Sequence, residues 1–287
     1  LMVIRVNATD FSIVTKRSKA CIVYAPGEAA LDSIAAHLLA KDIERVTGYL
    51  PVVLTDITKA KGNVIVIGRY SSKLIETVCG SQYEDYSKLA GQWECYVLKV
   101  LTKPSAKISN ALIIAGSDPR GTAYGVFAVS EKIGVSPWYW WADAPVKSRK
   151  NIYVKAGVYT AGEPKVKYRG IFLNDEDPAL AGWAREKFGD LNHQFYEKVF
   201  ELILRMKGNY LWPAMWGKSL WDDDSLSAPL ANEMGVVLAT SHHEPLMRAH
   251  VEWSRYGEGA WNYETNPEVL REFWREGMER TQGQEKV

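Results

Sequence analysis

Three times after residue 160 the chain runs through a short apolar stretch, a polar loop and a segment of helical periodicity. "YRGIFL" (168–173) leads through "NDEDPALAGWAREKFGD", read as a long loop, to "NHQFYEKVFELILRMKG" (192–208). There Phe195, Val199, Ile203 and Met206 form an apolar stripe and Gly208 a stop. "NYLWPAM" (209–215) leads to the helical "SLSAPLANEMG", and "VVLAT" (236–240) leads to "SHHEPLMRAHVEWSRYG". A further helix, "NPEVLREFWREGMER", starts with Pro at its first position. Strands separated by helical crossovers pair in parallel, and a run of such units is how a (β/α)8 barrel begins. Closure takes eight units and about 250 residues, so three leave an open edge of unpaired backbone groups. The expected solution is a barrel completed by sequence beyond this chain. An open sheet is the other.

Residues 1–160 carry a different alternation. "KACIVYA", "PVVLT", "NVIVIG", "CYVLKVL" and "ALIIAG" read as short, mostly buried strands. "GEAALDSIAAHLLAKDIERVTG" places Leu31, Ile34, Leu38 and Ile43 near helical spacing and ends in Gly48. "GSDPRGTAYGVFAVSEKIG" turns sharply into a helix packing through Val126, Val129 and Ile133. It has neither the P-loop lysine nor a G-x-G-x-x-G pattern, which argues against nucleotide binding. The fold class is therefore α/β: an N-terminal layer domain over 1–160, then the first three units of a truncated barrel over 161–287. Trp138, Trp140 and Trp141, in the connecting "SPWYWWADAPVKSRK", are expected at the junction of the halves.

Composition narrows the partners. Net charge is +1 with no basic block, which argues against nucleic acid. No apolar run approaches the roughly 18 residues of a membrane span. The start "LMVIRVNATD" lacks both signal-peptide features and an initiator Met, so a trimmed start is expected. Cys21, Cys79 and Cys95 show no metal spacing and read as buried free thiols, with one disulfide the alternative. Of the 11 Trp, only Trp93 precedes residue 138. The rest often sit beside Pro, Gly, Asn or Asp, which suits either a sugar-stacking surface or a Trp-rich core.

Barrel enzymes keep their chemistry at the C-terminal strand ends. The first would deliver Asn174, Asp175, Glu176 and Asp177. The second would deliver Trp212 and Trp216, and the third Ser241, His242, His243 and Glu244. Crowded carboxylates can serve as general acid, base or nucleophile, and Trp212 or Trp216 could stack on a sugar. Neighbours on an extended segment point in opposite directions. His242 and His243 are therefore not expected to chelate one ion together, and H-E-x-x-H is absent.

"KYRGIFLNDEDPALAGWAREKFG", "RMKGNYLWPAMWG" and "GVVLATSHHEPLMRAHVEW" closely resemble the xylan α-glucuronidases of glycoside hydrolase family 115. "GSDPRGTAYGVFAVSEKIGVSPWYWWADAPV" resembles the end of that family's N-terminal α/β domain. The resemblance spans roughly residues 110–280. It implies removal of glucuronic or 4-O-methylglucuronic acid from α-1,2 linkages on glucuronoxylan or aldouronic oligosaccharides, with inversion. It also implies no cofactor, a homodimer, an extracellular or periplasmic enzyme (or an intracellular one fed imported oligosaccharides), and further catalytic carboxylates in later barrel loops. On this reading Asp175 or Glu176 acts at the reacting centre, Asp175 preferred. Asn174, Trp212, Trp216, His242, His243 and Glu244 bind substrate, with Arg120 a further candidate for the uronate carboxylate. The competing readings are a non-catalytic carbohydrate-binding fragment, a metal-dependent hydrolase built on "NDED" and "HHE", and a hexosaminidase-like enzyme.

Overall fold

The computed structural model describes residues 10–174 and 177–284. The chain divides into two compact units, Leu1–Lys167 and Tyr168–Val287.

The first unit contains β1 (Phe11–Val14), β2 (Cys21–Tyr24), α1 (Ala30–Thr47), β3 (Val53–Leu54), β4 (Gly62–Arg69), α2 (Lys73–Cys79), α3 (Glu84–Ser87), β5 (Tyr96–Thr102), β6 (Ile108–Gly116), α4 (Pro119–Ile133), β7 (Ile152–Val154) and β8 (Val158–Ala161). Six strands form one sheet in the order β3-β2-β4-β6-β5-β8, and β1 pairs separately with β7. Strands β3, β2, β4 and β6 run parallel, while β5 and β8 join antiparallel. The central strands are buried almost without interruption, Val64–Ile67 on β4 and Ala111–Ala115 on β6. A sheet covered on both faces needs such continuous apolar runs.

Helix α1 buries Leu31, Ala35, Leu39, Ile43 and Val46. Its inward face is shifted from the expected stripe, with Ile34 and Leu38 half-buried at its margin. Gly48 closes it in the left-handed conformation (φ 75°) and donates to the Glu44 carbonyl. The turn before α4 is an N-cap: the Asp118 carboxylate accepts from Gly121 N at 2.7 Å and from Glu94 N at 2.6 Å. Gly121 has a packing reason, since a Cβ there would sit 2.2 Å from the Cys95 carbonyl oxygen. Val126, Val129 and Ile133 are all buried. The three cysteines are free thiols. Trp140 and Trp141 meet edge to face at 4.9 Å.

The second unit contains β9 (Gly170–Phe172), α5 (Leu180–Phe188), α6 (His193–Arg205), β10 (Tyr210–Trp212), α7 (Leu220–Asp223), α8 (Ser227–Glu233), β11 (Val237–Leu238), α9 (His250–Tyr256) and α10 (Pro267–Glu279). Its sheet is parallel, in the order β11-β10-β9. Helices follow each strand.

Two expectations are corrected. The loop after β9 holds a helix, α5, because the half-buried rings of Trp183 and Phe188 pack edge to face against Phe195 of α6, at 6.5 and 6.0 Å. That packing overrides the loop signals of Pro178, Gly182 and Gly189. Met206 does not belong to the α6 stripe. The helix ends at Arg205, and Met206 lies on the way out at 53% exposure, ahead of Lys207 at φ 59°. The buried stripe is Phe195, Val199, Phe200, Ile203 and Leu204. No helix among the described residues is long and apolar enough to cross a membrane.

Candidate functional site

Parallel pairing in register puts the C-terminal ends of β9, β10 and β11 side by side: Trp212 pairs with Phe172, and Leu211 pairs with Leu238 and Ile171. The side chains that leave these ends meet. Phe172, half-exposed at the tip of β9, lies between two partners. Trp212 packs edge to face on it at 5.8 Å, and His242 does the same at 6.4 Å. Asn174, just past β9, accepts from Trp216 Nε1 at 3.3 Å. Trp216 is 59% exposed, while Met215 beside it is buried. Phe172, Trp212 and His242 thus touch across the three strand ends, and Asn174 and Trp216 are joined by a bond of their own. Phe172 was missed by sequence reasoning, although its place as the last residue of the first strand marks it.

The loop after β11 differs from the extended segment expected. His242 and His243 lie in a turn, so their rings sit together, with centroids 4.0 Å apart. Ser241 Oγ lies 2.9 Å from His242 Nδ1. Both imidazoles are exposed. Glu244, expected at the substrate, is turned inward at 3% exposure. Its carboxylate accepts from His250 N at 2.7 Å and Ser241 N at 3.3 Å, and its carbonyl accepts from Thr240 Oγ1. It closes the loop that displays the two histidines. Among the described residues no group of three His, Cys, Asp or Glu side chains converges to hold a metal ion.

A buried ionic cluster stands behind this loop. Glu252 is fully buried, and its carboxylate accepts from Arg248 Nη1 at 2.6 Å, Ser219 Oγ at 2.7 Å and both Arg280 Nη atoms at 2.8 Å. Arg248 also donates to the Phe273 carbonyl at 2.9 Å and to Glu276 at 2.8 Å. Arg280 reaches the Met247 carbonyl at 2.5 Å. Burial pushes the Glu252 carboxyl up, but the Arg280 and Ser219 bonds outweigh it and hold the group below the usual carboxylate range. The cluster ties the loop after β11 to α10 and to the start of α7. Its members were also missed, although Arg248 and Glu252 stand at the i,i+4 spacing of a helical ion pair.

Of the remaining candidates, Asp175 and Glu176 lie outside the described residues. Their neighbour Asp177 is engaged by Arg185 Nη2, at 2.7 Å to each carboxylate oxygen. Arg120, in the first unit, pairs with the buried Glu94 at 2.6 Å, beside the N-cap of α4.

Comparison with known proteins follows from this geometry. Residues 161–287 match the family model of Glycosyl hydrolase family 115. A solved structure described as a family GH115 4-O-methyl-α-glucuronidase, BtGH115A, with specificity for decorated arabinogalactans, is 30% identical. It superposes on 96% of this chain with a TM-score of 0.83, and the chain spans 36% of that protein. A Streptomyces plicatus β-hexosaminidase mutant is 10% identical over 87% of this chain and 46% of its own, with a TM-score of 0.49. No curated protein matches the chain. The second unit thus carries the family's sequence pattern and nearly the whole chain its backbone: the chain belongs to glycoside hydrolase family 115.

Proposed function

We propose that the chain is part of an α-glucuronidase that removes glucuronic or 4-O-methylglucuronic acid from α-1,2 linkages on xylan, with inversion. On this reading β9, β10 and β11 are the first three strands of a (β/α)8 barrel, residues 1–160 are the N-terminal domain, and the remaining strands lie outside these residues. The observation that carries the reading is the joining of three strand ends through Phe172, Trp212 and His242, with Asn174 held to Trp216, in a chain of this family. An aromatic floor suits the apolar face of a pyranose, and exposed imidazoles beside it suit a uronate carboxylate. An inverting enzyme needs an acid and a base about 6.5–9.5 Å apart, with a water between. We assign one role to Asp175 or Glu176, Asp175 preferred, and the other to a later barrel loop. Action outside the cytoplasm and a homodimer belong to the same proposal.

The test is uronic acid release by the full-length protein from glucuronoxylan, with the first-formed anomer read by NMR. Inverted product supports the mechanism; retained product removes it. Asp175→Ala and Glu176→Gln are assayed together, and at least one should lower kcat by about 10²-fold or more. Near-normal kcat in both ends the assignment. His242→Ala should raise KM for the acidic substrate by about tenfold, the loss of one charge-assisted contact. An unchanged KM removes His242 from the binding surface. Chelator should leave activity unaltered, and loss restored by Zn²⁺ would favour the metal-dependent alternative.

A second substrate is favoured by one specific finding: BtGH115A, 30% identical over nearly this whole chain, is described as specific for decorated arabinogalactans. Parallel assays on glucuronoxylan and a uronate-decorated arabinogalactan decide between them by their ratio of kcat/KM.

A further inference from the structure

We propose that Ser241 is a positioning residue, whose hydroxyl fixes the His242 imidazole in the form that offers a hydrogen on Nε2 to the substrate's carboxylate. This rests on the reading above that His242 binds the uronate.

The turn that carries the histidines is closed on itself. Ser241, at its start, is 4% exposed. Its amide donates to the inward-turned Glu244 carboxylate at 3.3 Å, and Thr240 Oγ1 donates to the Glu244 carbonyl. The backbone just beyond is strained, because Leu246 and Met247 are consecutive left-handed residues, at φ 56° and 63°, and neither is glycine. Arg280 Nη2 holds the Met247 carbonyl at 2.5 Å. Gly277 of α10 leaves room for the Leu246 carbonyl, which would lie 2.5 Å from a Cβ there. A path this unfavourable persists only where its surroundings determine it, so the loop is set before a ligand arrives.

On that turn His242 has one nitrogen committed. Ser241 Oγ lies 2.9 Å from Nδ1, and among the described residues neither atom has another hydrogen-bond partner. Phe172 meets the ring edge to face at 6.4 Å, and the His243 ring lies 4.0 Å away. A neutral imidazole has one N–H and one bare nitrogen. With the hydrogen on Nδ1, the Ser241 hydroxyl would have no acceptor for its own hydrogen, a cost that buried hydroxyls avoid. With Nδ1 bare, Ser241 donates to it and the hydrogen sits on Nε2. When the ring is charged both nitrogens carry a hydrogen, and Ser241 accepts. In each form that satisfies Ser241, therefore, Nε2 is a donor. An ionised carboxylate only accepts, so these forms bind it and the excluded one presents a bare nitrogen to it. No hydrogen bond among the described residues fixes the His243 ring, so the role falls to His242.

The experiment uses the full-length protein with isotope-labelled histidine, and the variants Ser241→Ala, Ser241→Thr, His242→Ala and the double Ser241→Ala, His242→Ala, all checked for wild-type melting. NMR at about pH 8.5, where an ordinary imidazole is neutral, reads which nitrogen carries the hydrogen. The His242 signal is the one that His242→Ala removes. In the wild type it should show Nδ1 bare and Nε2 protonated, and in Ser241→Ala it should move toward a mixture of the two tautomers. KM is measured on an oligosaccharide carrying one uronate. Ser241→Ala should raise it by about two- to tenfold with kcat unchanged, and Ser241→Thr should stay near the wild type. In the His242→Ala background the loss of Ser241 should add nothing. A hydrogen on Nδ1 in the wild type overturns the proposal. So does a KM raised by His242→Ala but not by Ser241→Ala. A rise of the same size with and without His242 also overturns it, because Ser241 then serves the loop and not the ring. A pure Nε2–H signal that is lost in Ser241→Ala, with KM unmoved by His242→Ala, sinks the uronate reading and leaves the positioning of the ring standing.

Discussion

Single residues carry burdens that their place in the sequence does not announce. Asp32, in the first turn of α1, is 1% exposed, and neither carboxylate oxygen has a hydrogen-bond partner among the described residues. Burial and the neighbouring Glu28 push its carboxyl from 3.8 up to about 7, against a smaller opposing pull from Arg69. Between those two values the folded chain keeps a proton that the unfolded chain has released, so stability falls as pH rises through the window. Asp32→Asn should therefore melt with the wild type near pH 4 and gain on it up to pH 8, by no more than about 4 kcal/mol. A gain that does not grow with pH would remove the carboxyl as its cause. Glu252 works in the opposite sense. Its lowered pKa contributes stability that is fully present above the usual glutamate value of 4.5 and is lost as pH falls below it. Glu252→Ala leaves Arg248 buried without its main partner and should cost about 3–5 kcal/mol in urea unfolding. Sequence reasoning named Trp216 and the two histidines, and all three side chains are exposed. It did not find Glu244's inward turn, because capture of a carboxylate by its own loop's amides depends on a backbone path that periodicity does not describe.

Elements were legible where apolar runs or helical stripes were long. The buried strands β4 and β6 and the helices α1, α4, α6 and α10 follow from pattern alone, because continuous burial and a 3.6-residue period leave few other solutions. Helix α5 was hidden by Pro and Gly around a core of only two aromatic anchors, and only the tertiary contact with Phe195 reveals it. The extended reading of "SHHEP" failed for a related reason. β11 is two residues long, and the chain has left strand geometry before it reaches His242. Helix α4 offers a test at this scale. Gly121→Ala forces a methyl group to within 2.2 Å of the Cys95 carbonyl, in a buried seam between α4 and the start of β5. It should destabilise the first unit by about 1–3 kcal/mol despite alanine's better helix propensity. A stabilised variant would show that the seam gives way.

For the molecule as a whole, the α/β class was open to reading, since strands and helices alternate along the chain. What any relative does with the rest of its length is not written in these residues, which span 36% of BtGH115A. The two sheets differ in a way that bears on how the protein breathes. In the first unit β4 and β6 pair over eight residues, with Val64–Ile67 and Ala111–Ala115 buried along the pairing. In the second, β9, β10 and β11 are three, three and two residues long. Backbone amides in such short pairings open without unfolding the unit around them. Deuterium should therefore enter at residues 170–172 and 210–212 well before it enters Val64–Ile67, and in the second unit it should enter last along α6. The strand tips that present Phe172 and Trp212 then rest on a yielding floor. An occupant that bridges them should slow isotope uptake there, so labelling with and without a uronate-bearing oligosaccharide maps the site without any catalysis taking place.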